Sequence, residues 1–86
     1  MVKYSIEFKK SAIKELNSLP NKEIKKIINS IDKLIEAPHP INSKKLSASE
    51  RYRLRVGDYR ILYEIIDQVL IIYIIKIAHR KNVYRA

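Results

Sequence analysis

Gly57 is the only glycine in this 86-residue chain, and it stands between a run that alternates apolar and polar side chains and a second run that reads as its returning strand. Upstream run Arg51, Tyr52, Arg53, Leu54, Arg55 and Val56; downstream, after Asp58, run Tyr59 to Ile66. Period-two alternation before a Gly-Asp pair, with an apolar-rich run returning after it, predicts two antiparallel strands joined by a two-residue type II′ turn. Such a hairpin fixes its own register. Val56 then lies opposite Tyr59, Arg55 opposite Arg60, and Arg53 opposite Leu62. Tyr52, Leu54, Val56, Tyr59, Ile61 and Tyr63 share one face, and Arg51, Arg53, Arg55 and Arg60 share the other.

The remaining elements arrange themselves around this hairpin. Residues 2–8 alternate and read as a strand. Ala12, Ile13, Leu16 and Leu19 fit a short helix over residues 9–19 that Pro20 stops. Asn21 is the expected N-cap of a second helix, whose positions Ile24, Ile27, Ile28, Ile31, Leu34 and Ile35 form one apolar stripe. Lys22, Lys25, Lys26 and Lys33 fall mainly on its solvated side, and the Ala37-Pro38-His39-Pro40 segment ends it. Residues 41–50 read as a loop in which Lys44 and Lys45 are candidate substrate-side contacts. A turn at Asp67-Gln68 leads into a long strand over residues 69–78, apolar on both faces and so expected inside the sheet. The order β-α-α-β-β-β gives an α+β fold: two N-terminal helices on one face of a small, mainly antiparallel four-stranded sheet. At this length, residues 1–86 are expected to form one domain.

The final hairpin admits two registers. A two-residue loop pairs Arg60 with Ile75 and sends Lys76 toward the helices, where a charge is costly. An odd loop or a bulge pairs Arg60 with Lys76 and carries Ala78 and Arg80 onto the arginine face. Burial favours the second.

Charge adds a division of labour. The net charge is +9, which favours polyanionic partners. Ten of the twelve lysines precede residue 51, whereas all six arginines (Arg51, Arg53, Arg55, Arg60, Arg80 and Arg85) follow residue 50. Arginine presents a planar fork of donors that matches phosphate, while lysine is a hydrated point charge. Like charges directly opposed across a strand pair are destabilising unless something neutralises them. A phosphate would do so; an exposed face that uses arginine for solubility and edge protection is the plainer alternative.

Several chemistries are disfavoured. There is no cysteine, and the two histidines, His39 and His79, and the carboxylates lack ligand spacing, so neither a metal nor another cofactor is expected. Asp58 and Asp67 read as turn residues rather than a catalytic carboxylate pair. The longest apolar run, Val69 to Ile75, is too short to span a membrane, and no leader-like segment opens the chain, which points to the cytoplasm. A basic cleft remains. RNA can be cut there without metal, because its own 2′-OH attacks the neighbouring phosphate when cations stabilise the extra charge of the transition state. Arginine does not deprotonate, so proton transfer falls to Tyr84, His79, Lys81 or solvent. Tyr84 is also a candidate base-stacking platform or a tail anchor packed on the core.

The stretch Tyr52-Arg53-Leu54-Arg55-Val56-Gly57-Asp58-Tyr59-Arg60-Ile61-Leu62-Tyr63, with Ile77-Ala78-His79-Arg80-Lys81-Asn82-Val83-Tyr84, resembles the RelE-like toxins of the RelE/ParE superfamily. The likeness extends to Leu19-Pro20 and Lys45-Leu46. It implies the toxin of a type II toxin–antitoxin pair, opposed by a cognate antitoxin that is acidic and binds DNA. The RelE branch cleaves mRNA in the ribosomal A site, and the ParE branch poisons DNA gyrase. By this resemblance Arg60, Arg80 and Tyr84 are expected to be catalytic. Arg53, Arg55 and Lys81 are expected to bind substrate. The family often has lysines where Arg53 and Arg55 stand, so this pair is less suited to act as bases. Three functions follow as expectations: a ribosome-dependent endonuclease, a gyrase inhibitor, or a nucleic-acid-binding relative that does not cut.

Overall fold

A computed structural model describes residues 3–46 and 50–81. The elements run β1 (Ser5–Phe8), α1 (Lys10–Asn17), α2 (Asn21–Lys33), β2 (Ser43–Lys45), β3 (Arg51–Val56), β4 (Tyr59–Ile66) and β5 (Ile71–His79). The sheet has five strands in the order β1-β5-β4-β3-β2. Among the described residues, only β1 against β5 is parallel. The α+β class holds, but the expected four-stranded sheet is corrected to five by β2, a three-residue edge strand inside the segment expected to be a loop. Long-range pairing creates it. Lys44 lies opposite Arg53, Arg55 N–H donates to the Asn42 carbonyl at 3.0 Å, and Asn42 Nδ2 donates to the Arg55 carbonyl at 2.7 Å.

The β3–β4 hairpin has the expected register, including Arg55 opposite Arg60. Gly57 has φ +58°, and Asp58 is not in the left-handed region, which suits a type II′ turn rather than type I′. The β4–β5 hairpin corrects both sequence registers. Ile66 pairs with Ile71, so the loop is four residues long, and a shift between Leu62 and Tyr63 leaves Ile75 bulged. Arg60 therefore faces Ala78, not Lys76 or Ile75. Loop and bulge together displace the favoured pairing by two residues. The faces are preserved, and Lys76 and Ala78 stay on the arginine side.

Leu70, in that loop, has φ +56°. A branched side chain there costs on the order of 1 kcal/mol. Leu70→Gly is expected to raise stability by up to about 1 kcal/mol, read as a higher urea midpoint with an unchanged slope.

Ile27, Ile31 and Leu34 of α2 and its following turn, with Ala12 and Leu16 of α1, bury against Leu54, Ile61, Tyr63, Ile72, Ile74 and Ile77 of the sheet. Lys22, Lys25, Lys26 and Lys33 are exposed, as the stripe predicts. The second helix begins one step earlier in role than expected. Pro20 is the N-cap, and its carbonyl accepts from Glu23 and Ile24, so Asn21 is the first helical residue and caps nothing. The extended ψ of 148° at Pro20 aims that carbonyl down the helix.

Tyr63 is fully buried, and its hydroxyl donates to the Pro38 carbonyl at 2.7 Å. It stacks on Tyr52, which meets His39 edge-on, so the aromatic column pins the segment after α2 to the sheet. Burial pushes the Tyr63 hydroxyl above the ordinary tyrosine value. A raised value in the fold means that its share of stability is intact below the unfolded value, near pH 10, and is lost as pH climbs through the folded one. Tyr63→Phe is expected to cost about 1 kcal/mol at neutral pH, by stranding the Pro38 carbonyl. It should also lose less stability than the parent above about pH 10, in urea titrations at both pH values.

Candidate nucleic-acid interface

The alternation that buries Leu54 and Ile61 sends the arginines to the opposite face of the sheet. Two rungs of the ladder build the surface. One runs Lys44, Arg53, Leu62 and Lys76 across β2, β3, β4 and β5. The next runs Arg55, Arg60 and Ala78. Lys44 thus belongs to this face, although residues 41–50 read as a loop from their sequence alone. The signal that could have found it is its alternation with Ser43 and Lys45, too short to read alone.

The Arg55–Arg60 opposition is relieved in part from within the hairpin. Arg60 Nη1 donates to the carbonyls of Gly57 and Tyr59, at 3.0 Å each. The turn carbonyls thereby hold the guanidinium over the hairpin. The five N–H donors of a guanidinium are two on each Nη and one on Nε, so the edge formed by Nε and Nη2 can still meet a phosphate in a fork. Like-charge opposition alone therefore does not demand an anion here, because the backbone already orients one partner.

Arg80 follows β5, and its N–H donates to the Asp58 carbonyl at 2.7 Å. That bond adds one rung beyond Tyr59 opposite His79, so the backbone of Arg80 is tied to the turn that carries the Arg60 contacts. Arg55, Arg80 and Lys81 are exposed, and Arg53 and Arg60 are half-buried. Tyr84, the expected catalytic tyrosine, lies outside the described residues.

His79 faces the other way. Its ring meets Tyr59 edge-on at 5.6 Å, on the helix side of the sheet, and its Nδ1 accepts from the Lys81 N–H at 3.3 Å. A proton donor on the arginine face is better sought elsewhere. Lys76 was also expected among these cations, yet its Nζ reaches round to Glu15 of α1 at 3.0 Å. The basic surface is consequently made of arginines with Lys44 at its margin.

A family description, ParE toxin of type II toxin-antitoxin system, parDE, matches residues 6–84. The chain belongs to the RelE/ParE toxin family. A protein of Methanocaldococcus jannaschii designated RelE1 is 33% identical over 88 residues, covering 98% of each chain. The mRNA interferase toxin RelE of Escherichia coli K12 is 25% identical, over 92% of this chain and 85% of that protein. Among solved structures, the archaeal RelE–RelB complex of Pyrococcus horikoshii contains a chain 30% identical, with a TM-score of 0.82 over 93% of this chain and 97% of that one. The RelBE2 toxin–antitoxin complex of Mycobacterium tuberculosis matches at 26% identity and a TM-score of 0.78, over 92% of this chain and 100% of that one. This RelE-like toxin therefore shares its α+β architecture with relatives crystallised beside antitoxins.

Proposed function

We propose that this RelE-like toxin is a metal-independent endoribonuclease that cuts mRNA on the ribosome. The observation that carries the reading is the meeting of three arginines at one end of the sheet: Arg55 opposite Arg60, and Arg80, just past β5, with its backbone N–H bonded to the Asp58 carbonyl. Such a surface suits a reaction whose main need is neutralisation of growing phosphate charge. The 2′-OH gives up its proton and bonds to phosphorus, the bond to the 5′ oxygen breaks, and that oxygen gains a proton. The products are a 2′,3′-cyclic phosphate and a 5′-hydroxyl. In this reading Arg60 and Arg80 stabilise the transition state, and Tyr84 stacks the substrate or moves a proton. Arg53, Arg55 and Lys81 bind the backbone.

The relatives were crystallised with RelB antitoxins, and they support a cognate partner for this chain, acidic so as to cover the arginines. The test is expression followed by mapping of RNA ends. Growth arrest with new 5′-hydroxyl ends inside translated mRNA is the expected result. Arrest with intact mRNA would sink the proposal.

The match to the ParE description favours a second reading, inhibition of DNA gyrase. It requires binding but no cleavage, so a DNA-damage response without new RNA ends would select it.

A further inference from the structure

β1 accompanies only the first half of β5. Their parallel register runs from Ser5 opposite Ile71 to Phe8 opposite Ile74, and Lys9 N–H closes it on the Ile74 carbonyl at 2.9 Å. The chain then turns into α1, so the edge of β5 beyond Ile74 lies beside a helix that offers no backbone ladder. One carboxylate stands in for the missing strand. Glu15 Oε1 accepts from the Ile77 N–H at 3.0 Å, and its Oε2 accepts from Lys76 Nζ at 3.0 Å.

Three features make this contact more than an edge decoration. First, it follows directly on the bulge at Ile75, at the point where the pairing with β4 resumes with Leu62 opposite Lys76 and Ile61 opposite Ile77 after the register shift. Second, a hollow of about 300 Å³ borders the strand end, lined by Ser18, Leu19, Tyr59 and His79 as well as Glu15 and Lys76. Packing on that side is therefore incomplete beside the strand end. Third, Glu15 sits in the last turn of α1, where the helix dipole disfavours an acid. A local rule broken in this way points to a role outside the helix. The segment that Glu15 holds carries Ala78 opposite Arg60, and then Arg80 on the Asp58 carbonyl.

We propose that Glu15 is a positioning residue, whose carboxylate fixes the bulged end of β5 and so sets Arg80 against Arg60. The proposal rests on the RNA-cutting reading above. The experiment compares Glu15→Ala and Glu15→Gln with the parent in ribosome-dependent cleavage and in amide exchange. Glu15→Ala is expected to lower kcat about tenfold or more with little change in KM, since small misplacements of a catalytic group weaken the transition state most. Glu15→Gln keeps an oxygen for the Ile77 N–H and is expected to restore most of kcat. In Glu15→Ala the Ile77 amide should exchange faster and the Arg80 amide resonance should shift, while Leu54 and Ile61 keep their protection.

An unchanged kcat in folded Glu15→Ala overturns the proposal, and so does a folded Glu15→Gln that fails to rescue. If Glu15→Ala does not fold, the Ile77 and Arg80 amides of Glu15→Gln decide: parent-like signals support the proposal, and displaced ones overturn it. A parent that never cuts RNA refutes the cleavage reading instead. The amide signals then still show whether Glu15 places Arg80.

Discussion

Arg60→Ala is expected to reduce RNA cleavage by about two to three orders of magnitude while leaving the protein folded, the scale seen when one preorganised donor is removed from a transition state. Arg60 sits at the centre of the basic face, with Arg55 opposite it on β3 and Ala78 opposite it on β5. Its Nη1 is already fixed by the Gly57 and Tyr59 carbonyls, so on the proposed reading the guanidinium would need no further ordering to receive a phosphate. Truncation removes those two bonds but also removes a like charge from beside Arg55. The two effects on stability oppose each other, and the net change should stay within about 0.5 kcal/mol. Arg60→Lys keeps the charge without the planar fork and should remain well below the parent in rate. Single-turnover cleavage, with thermal unfolding as the control, separates these outcomes. A variant that is folded and fully active would remove Arg60 from the site.

The largest stability effect is expected at Ile61. It is fully buried in the central strand β4, between Leu54 on β3 and Ile77 on β5, which are themselves 1% and 3% exposed. Ile61→Ala should cost about 3–4 kcal/mol, combining lost transfer energy with a cavity that two bonded neighbouring strands cannot collapse into. A domain of this size is stable by only about 5–10 kcal/mol. The variant should therefore unfold at a much lower urea concentration with little change in slope. A partner that binds only the folded toxin would pull it back by mass action, so co-expressed antitoxin should raise its yield more than the parent's. A loss below about 1 kcal/mol would contradict the packing described for this strand.

These two residues also show what the sequence makes legible. Arg60 and Ile61 are assigned to opposite faces by a two-residue turn at the only glycine, and that local geometry carries the register of β3 against β4. The next hairpin is opaque because its determinants are not local. Leu70 adopts a left-handed conformation without the Gly or Asn that would signal one. The bulge at Ile75 interrupts a run of apolar residues that read alike on either face. β2 is invisible for a similar reason, since three polar residues become a strand only because β3 offers them an edge. The cationic character of the site was readable from the arginine spacing. What holds it was not: the Glu15 carboxylate meets a backbone amide 62 positions away, a pairing with no trace in periodicity. His79 stood next to Arg80 in sequence, yet strand alternation alone sends its ring to the other side.

The pairing of β1 with β5 also governs when this molecule can exist. Ser5 is translated before both helices and three more strands, but its neighbour in the sheet, Ile71, is translated only after them. No earlier strand can substitute, because β4, the other neighbour of β5, lies on its far side. Closure therefore spans most of the chain and belongs to the slow, non-local class of folding steps. Arg80 comes later still, anchored to a turn made some twenty residues before it. A growing copy is thus expected to be harmless to the ribosome that is making it, since the cationic surface is assembled only once nearly every element has been synthesised.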